Sequence, residues 1–523
     1  MKKIKFIVII LCATGMVATM VGCKKFLQED PISTVPPDRF WKDKNDASTW
    51  MAGVYNSLQT TLSSAFFDWG EVRSDNVRVG GTGNAQLTMI SNTLSANDAD
   101  INGITTWTNL YTTISLCNYG IKYFPGMIES NADGGAAIYR DYLGQCYALR
   151  SLMYFYGLRV WGKLPLITTP IENLNQPIEV ARSPIADVRQ RIMSDIDSSL
   201  LTIASVTSQK YYIQKAGVYA LQTDVAMWFQ DYDLALTASQ KCITESKCQL
   251  VSNIADWKGI FTDPETSTET IFNLYWSSIE RGGGVAVCQK VGSSSNTNQY
   301  ETRTAVWQKY RDRVDPAFTD STVYLDGRYW AQFDTLTYNT PELYDAAVIT
   351  LGKYSPWKAN ATIGTGFVFQ GNSDCSVKIP IYRYADVLLL RAEALTHKGR
   401  YQEALDIVNS IRKRVGYTVK AVLSDYTGDI AKGIERTVLD ERQLELLGEG
   451  KRWFDLCRIG KIYDYTNAGY DYLRETMNPI LSATTGSILY DGGNMGRVLY
   501  PINSAAFNAN SKLLGDQNPP YDE

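Results

Sequence analysis

The stretch YRYADVLLLRAEALTHKGRYQEAL, residues 382–405, decides the fold of this chain. From Tyr384 to His397 apolar residues recur at three- and four-residue steps, which predicts a helix, and Lys398-Gly399 ends it. A second helix begins at Tyr401-Gln402-Glu403-Ala404. The stretch therefore predicts two antiparallel helices joined by a tight turn.

A second part of the chain carries the same pattern. Residues Ala216 to Phe229 read as a helix, Asp231 marks a turn, and the next helix opens with Tyr232-Asp233-Leu234-Ala235. Both second helices thus begin with Tyr-x-x-Ala. In tetratricopeptide repeats the small alanine allows two helices to approach closely, and the aromatic residue fills the space near the turn. We interpret both pairs as hairpins of this kind, although they are too far apart for a simple tandem array.

Two further segments differ in character. Apolar residues recur with helical period from Ala136 to Val160, and Gly162 with Pro165 ends that long amphipathic helix. From about Trp257 to Lys378 the chain is rich in Gly, Ser, Thr, Asn, Tyr and Trp, and only short runs such as Thr270 to Trp276 and Gly366 to Phe369 read as strands. The aromatic residues of this loop-rich segment indicate an ordered region that binds a ligand.

The amino terminus predicts secretion. Lys2, Lys3 and Lys5 precede an apolar run from Phe6 to Val21, which is too short to span a bilayer comfortably. Gly22-Cys23 is typical of a lipoprotein cleavage site, after which the cysteine carries the lipid anchor; an ordinary cleaved signal with an incidental cysteine is the alternative. We therefore assign residues 1–22 to a signal peptide and exclude them from the fold.

Composition excludes some classes of protein. Loss of the signal peptide removes three lysines and no acids, which moves the net charge from −4 to −7. No polybasic stretch follows Lys24-Lys25, which argues against nucleic acid as a partner. Besides Cys23, the mature chain has seven cysteines, which form no CxxC pair and read as small buried residues, with Cys242 and Cys248 the only two close enough in sequence to suspect a bond.

The sequence offers little support for an enzymatic function. The one histidine, His397, lies at a predicted helix end, where its partial positive charge suits the helix dipole. Glu441, Glu445 and Glu449 lie at four-residue steps on one predicted helical face, which brings neighbouring carboxylates within the range that a glycosidase needs. Cations interleaved with these glutamates favour a structural ion-pair network instead, because they keep the acids ionised. These cations are Arg442, Lys451, Arg452 and Arg458.

One weak metal pattern is present. Asp98, Asp100 and Asn102, followed by Gly103, match the first half of a calcium loop. The twelfth position is Asn109, which offers no bidentate carboxylate. A helix cap explains the same residues, so we expect no cofactor and keep calcium only as a weak candidate.

Several motifs along the chain resemble those of the SusD/RagB family and occur in the family's order. The chain departs from the family at residues 518–521, where it has Asn-Pro-Pro-Tyr, at Ser504-Ala505-Ala506, and at Lys24-Lys25 after the lipidated cysteine. The matching motifs are FWK (40–42), YTTISLCNY (111–119), ALR (148–150), WGKLP (161–165), YRYADVLLLRAEA (382–394), IRKRVG (411–416), ERQLELLGEGKRWFDLCRIG (441–460), LYPI (499–502) and QNP (517–519).

The resemblance implies a mainly α-helical, SusD-like fold in which four tetratricopeptide-like helix pairs support a loop-rich binding face with a few short strands. It implies one domain from residue 23 to 523, with an amino-terminal part to about 250, a ligand-binding part at about 257–378 and a carboxyl-terminal part from about 379. It also implies a non-enzymatic, lipid-anchored outer-membrane protein that faces the cell exterior and delivers a glycan to a SusC-like TonB-dependent transporter. A peptide-binding protein of the RagB type and a scaffold without a small ligand are the alternatives.

A glycan site needs exposed aromatic rings beside polar side chains that fix the hydroxyl groups. Relatives often place binding residues after the first helix, but the loop from Val79 to Thr106 contains no aromatic residue. The loop-rich segment must therefore supply the rings, or the ligand is more polar than starch-like chains. We expect the ligand-binding residues to be Asp75, Asn76, Arg78, Trp276, Tyr300, Trp330 and Trp357.

Overall fold

The computed structural model describes most of the chain, and the signal peptide and Cys23 lie outside the part it describes. The described residues are 40–173, 176, 178–204, 210–291, 299–313, 326–333, 351–354, 357–359, 367–369, 375–459, 472–483, 489 and 497–522.

Helices dominate these residues, which confirms the mainly α-helical class. In chain order they are α1 Lys44–Gly70, α2 Asn84–Ile90, α3 Asn102–Thr105, α4 Thr108–Ser130, α5 Ala136–Trp161, α6 Ile185–Thr202, α7 Lys215–Trp228, α8 Tyr232–Ser246, α9 Ile254–Thr262, α10 Ser278–Arg281, α11 Ala286–Val291, α12 Thr304–Arg311, α13 Arg328–Gln332, α14 Tyr384–His397, α15 Tyr401–Arg414, α16 Ile430–Glu445, α17 Arg452–Ile459, α18 Tyr472–Ala483 and α19 Ser504–Ala509.

The strands are short and pair in twos, each pair antiparallel. β1 Val77–Val79 pairs with β5 Tyr300–Thr302, β2 Leu164–Pro165 with β3 Arg182–Ser183, β4 Thr270–Leu274 with β8 Ile379–Arg383, and β6 Trp357–Ala359 with β7 Phe367–Phe369.

Both predicted hairpins are present, as α7 with α8 and α14 with α15. Although they are distant in sequence, they meet in space, because α14 packs against α8. The small side chains of Ala226, Ala235 and Ala394 are buried between them together with Met227 and Leu390. The alanine of the Tyr-x-x-Ala pattern thus permits close contact between two hairpins as well as within one.

The long helix α5 runs one residue further than predicted and ends at Gly162, whose φ of +74° suits glycine. Its second half is buried on every side rather than amphipathic, since α4 packs on one side and α6 on the other. Arg150 therefore lies inside the protein, where its Nη2 donates to Asp195 Oδ1 at 2.7 Å. Buried arginines of this kind require such a partner.

The loop-rich segment contains the expected strands, within one or two residues, at β4 and β7. It also contains the short helices α9 to α13, which the sequence analysis missed. Helices of four to nine residues make too few turns to display a period of 3.6. Cys288 and Cys375 of this segment form a disulfide, whereas Cys242 and Cys248 are free and buried. The reading of the cysteines as small buried residues was therefore wrong for Cys288 and Cys375, and the bond between Cys242 and Cys248 that the sequence left open does not form, because sequence proximity does not determine which thiols meet.

Candidate ligand-binding surface

Asn76 was predicted to contact ligand, but its side chain is fully buried, so this prediction was wrong. Its Nδ2 donates to Glu71 Oε1 at 2.6 Å, and its Oδ1 accepts from Gln443 Nε2 at 2.8 Å. The cause is the close approach of Gly70, at the end of α1, to Gly450: a Cβ on Gly70 would collide with the Gly450 carbonyl. The turn after α1 is therefore enclosed by the segment that follows α16.

Asp75 is also used internally. Its Oδ1 accepts from Arg452 Nε at 2.7 Å, and its Oδ2 accepts from Gln443 Nε2 at 2.8 Å. Burial alone would raise the pKa of Asp75, but the charge of Arg452 outweighs it and lowers the pKa. In this structure the carboxylate holds α17 to the end of α1 rather than facing a ligand, which corrects the prediction for this residue.

Tyr300 and Arg78 lie on the paired strands β5 and β1. The Tyr300 ring is only 1% exposed and packs against Phe67 at 5.9 Å between ring centroids, so the prediction that it offers a surface platform was wrong. Arg78 remains one-third exposed beside Glu301, with Nη2 and Oε2 3.1 Å apart. Side chains alternate between the two faces of a strand, and sequence alone does not say which face is covered.

Trp276 keeps part of its ring at the surface. Its Nε1 donates to the Gly283 carbonyl at 3.1 Å, and the Arg281 guanidinium lies 5.4 Å from the ring centroid. Trp330 lies on α13 and Trp357 on β6, but their side chains fall outside the described part of the chain. Of the predicted aromatic platforms, Trp276 is the one that the described side chains place at the surface.

The sequence analysis did not select two tyrosines near Trp276 in the chain or the fold: one precedes it in the sequence, and the other packs against that residue. Tyr275 is the neighbour of Trp276 at the end of β4, and Tyr211 packs edge-on against Tyr275 with ring centroids 5.0 Å apart. Tyr211 arrives there because the backbone before α7 runs alongside β4, where Asn273 N donates to the Lys210 carbonyl at 2.8 Å. We call Tyr211, Tyr275 and Trp276 the aromatic strip.

Polar groups surround the aromatic strip. Tyr275 Oη donates to Glu280 Oε1 at 3.3 Å, and the Lys378 ammonium lies 6.0 Å from the Tyr275 ring centroid. Burial, followed by the charges of Glu265 and Asp263, raises the pKa of the Tyr211 phenol. The strip therefore combines apolar ring faces with charged groups of both signs, the Glu280 carboxylate and the Lys378 ammonium, which can form hydrogen bonds.

Asp263 also lines a polar cleft of about 550 Å³ between α9 and the turns on either side of it. The lining is dominated by hydroxyl, amide and carboxylate groups and contains no lysine or arginine. It comprises Gln249, Leu250, Val251, Ser252, Asp256, Gly259, Asp263, Thr266, Ser267 and Thr268. The cleft thus offers groups that can pair with hydroxyl groups of a ligand.

A second cleft, of about 470 Å³, lies at the start of α4. Trp107 and Tyr111 line it together with Pro165 and Leu513. Trp107 follows directly after the loop that lacks aromatic residues, so a ring does stand near this loop. Its ring packs edge-on against Tyr111 and Trp161, at centroid distances of 5.7 and 5.8 Å.

The three glutamates considered for catalysis form a buried ion-pair network, as predicted. Glu441 Oε1 lies 2.7 Å from Arg328 Nη2, and Glu445 Oε1 lies 2.6 Å from Arg383 Nη1. Burial alone would raise the pKa of Glu441, but Arg313 and Arg328 outweigh it and hold the pKa well below its ordinary value. A carboxyl group held ionised in this way cannot act as a general acid near neutral pH.

Two details of that prediction were wrong. Helix α16 ends at Glu445, so Glu449 follows after a turn and does not share the helical face. The cations interleaved with these glutamates in the sequence pair with other acids instead, because consecutive residues on a helix point in different directions. Arg442 pairs with Asp386 and Asp455, Lys451 with Asp386, Arg452 with Asp75, and Arg458 with Glu393 and Asp455.

Of the three calcium candidates, Asp98 caps a short helix. Asp98 precedes a turn of 3-10 helix at Ala99–Ile101, and its Oδ1 accepts from the Asp100 N–H at 2.9 Å. Asn102 Oδ1 accepts from Asn503 Nδ2 at 2.7 Å. Asp98 thus makes the contact of a helix cap, whereas Asn102 bonds a distant side chain, and calcium binding stays an untested prediction.

Within the described ranges, every helix is too short or too polar to cross a membrane. The chain matches a family model described as "SusD family" over residues 240–521 and another described as "Starch-binding associating with outer membrane" over residues 25–226. These matches confirm the resemblance seen in the sequence.

Relatives of known sequence are similar to this chain over most of its length. SusD-like protein P38 of Formosa agariphila is 26% identical, with all of both chains covered, and SusD-like protein P2 of the same organism is 24% identical over 87% of this chain and 90% of its own. Among solved structures, a SusD superfamily protein from Bacteroides vulgatus is similar with a TM-score of 0.70 at 18% identity, covering 90% of this chain and 98% of that one. The structure of NanU from B. fragilis is similar with a TM-score of 0.67 at 22% identity, covering 95% and 100%.

Proposed function

Because the chain belongs to the SusD family, we propose that it binds a nutrient glycan at the outer membrane and delivers it to a SusC-like TonB-dependent transporter. The model matched by its first half is described as starch-binding and associated with the outer membrane, which supports both the class of ligand and the location. The lipid on Cys23 anchors the protein, which faces the cell exterior.

The aromatic strip is the observation that carries this proposal. Sugar rings present apolar C–H faces, which pack on exposed aromatic rings, and hydroxyl groups, which pair with carboxylates, amides and hydroxyls. Tyr211, Tyr275 and Trp276 supply the rings. Glu280 and Arg281 from α10 and the polar cleft that contains Asp263 supply the pairing groups.

The protein acts by binding and not by catalysis. Glu441 and Glu445, the glutamates considered for catalysis, are locked to arginines inside the core, where no polymer can reach them. We therefore expect binding of a soluble polysaccharide without release of reducing ends.

Replacement of Trp276 by alanine tests the site. We expect Trp276→Ala and Tyr275→Ala each to weaken glycan binding roughly 5- to 150-fold, since truncation of an anchoring aromatic residue costs about 1–3 kcal/mol. The measurement is titration calorimetry of purified protein against a panel of soluble polysaccharides, with a peptide digest as a separate ligand.

Trp50→Ala is the matched control. Trp50 is also half-buried, and its Nε1 also donates to a backbone carbonyl at 3.1 Å, that of Leu116. Equal losses in Trp276→Ala and Trp50→Ala, or unchanged affinity in the strip variants, would place the site elsewhere. Binding of the digest without any glycan would favour the peptide-binding alternative, and silence toward both would favour the scaffold.

A further inference from the structure

The single histidine of the chain lies beside two glutamates where three helices meet. His397 is the last residue of α14, Glu393 lies one turn earlier on the same helix, and Glu435 projects from α16. One imidazole nitrogen and one oxygen of each carboxylate all lie within 4.8 Å of one another. His397 Nε2 and Glu435 Oε1 are 2.6 Å apart.

The surroundings hold these three side chains in place. The Tyr232 ring of α8 stacks on the imidazole with ring centroids 4.1 Å apart and an interplanar angle of 7°. Arg458 donates to both oxygens of Glu393, with Nη2 2.7 Å from Oε2. Metal-binding carboxylates are commonly fixed by such outer hydrogen bonds, which set their direction.

The geometry points to a binding site for one divalent transition-metal ion, of which zinc is the representative, with ligands from Glu393, His397 and Glu435. Imidazole nitrogen and carboxylate oxygen both bind zinc at about 2.0–2.2 Å, and three protein ligands leave a fourth position for water. The ion takes the place of the proton between His397 Nε2 and Glu435 Oε1.

Charge and access suit a cation. Glu393 and Glu435 are buried acids, and Arg458, which pairs with Glu393, is shared with Asp455. The His397 side chain is 31% exposed, which leaves a path from solvent. An ion at this point would tie α14 to α16, and stabilise the second hairpin independently of any glycan.

Zinc binding to tag-free protein tests the proposal, since an added histidine tag would mask a single-histidine site. Calorimetry with zinc chloride should show one site per chain, and zinc should raise the temperature of unfolding. His397→Gln and Glu435→Gln should each weaken that site at least about tenfold and remove the thermal shift. Cobalt(II) should also shift or broaden the one imidazole signal in NMR spectra.

Glu403→Gln is the matched control, because Glu403 is an exposed glutamate paired with Arg400 on the neighbouring helix α15. It should leave zinc affinity unchanged. No zinc site in the wild-type protein, or a site that survives both His397→Gln and Glu435→Gln with folding intact, would overturn the proposal. Glycan binding is measured separately, so neither result affects the proposed function.

Discussion

Asp386 illustrates what single residues contribute to this protein. It lies on α14 with 1% exposure, and its oxygens lie 2.9 Å from Arg442 Nη1 and 3.1 Å from Lys451 Nζ. Burial alone would raise the pKa of Asp386, but Lys451 and Arg442 outweigh it and lower the pKa from 3.8 to about 2. An acid with a lowered pKa contributes stability above its unfolded pKa, and this contribution is lost as pH falls from about 4 to about 2.

Asp386→Asn should therefore lower the free energy of unfolding at pH 7 by about 3–5 kcal/mol, because it removes the acid of the buried Lys451 and leaves the buried Arg442 with Asp455 alone. It should also flatten the decline in stability between pH 4 and pH 2. Urea unfolding across this pH range measures both effects. Asp406→Asn on the exposed face of α15 is the control, and an equal loss in both variants would contradict the role given to Asp386.

At the scale of secondary structure, the helix pairs were predictable because their signal is local. The turn, the aromatic residue and the alanine of each hairpin all lie within about 25 residues of one another. The contact of α14 with α8 was not predictable, since 137 residues separate the end of α8 from the start of α14. Short helices such as α10 and α13 were not predicted either. They are stabilised by tertiary packing, and they are too short to show a helical period in the sequence.

Ala235→Leu should destabilise the protein by about 1–3 kcal/mol, because extra methylene groups have no space between α8 and its neighbours. Ala235 is fully buried among Ala226, Met227 and Leu390. Chemical denaturation gives the difference in free energy. Ala137→Leu on the exposed face of α5 should change little, and an insensitive Ala235 would show that the close helix contact is not required.

At the scale of the whole molecule, two covalent features extend beyond the helices. The disulfide between Cys288 and Cys375 joins positions 87 residues apart within the loop-rich segment. The lipid proposed on Cys23 would attach the entire domain to the membrane. Both features suit a secreted protein whose binding face is built from irregular chain.

Replacement of Cys288 and Cys375 by serine should lower the free energy of unfolding by about 2–5 kcal/mol, because the bond restricts the unfolded chain. Denaturation of the double variant, compared with that of the wild type, measures this loss. Cys242→Ser with Cys248→Ser is the control for lost thiols, and equal effects would argue against the bond.

Cys23→Ser should release the protein from membranes, because it removes the residue proposed to carry the lipid. Fractionation of cells that express each form measures the change. Purified Cys23→Ser protein should keep its glycan affinity, and membrane attachment that persists in this variant would contradict the proposed anchor.

The sequence by itself determined the helical class, the two hairpins, the long α5 helix and the family, because periodicity, turn residues and ordered motifs are properties of neighbouring residues. Only the tertiary structure decided which side chains a ligand could reach. Asn76 and Tyr300 became buried, whereas Tyr211 came to pack against Tyr275. Glu441 and Glu445 likewise pair with arginines from distant segments of the chain. Exposure and ion pairing depend on what packs across a surface, and that is set by contacts between parts of the chain that are far apart.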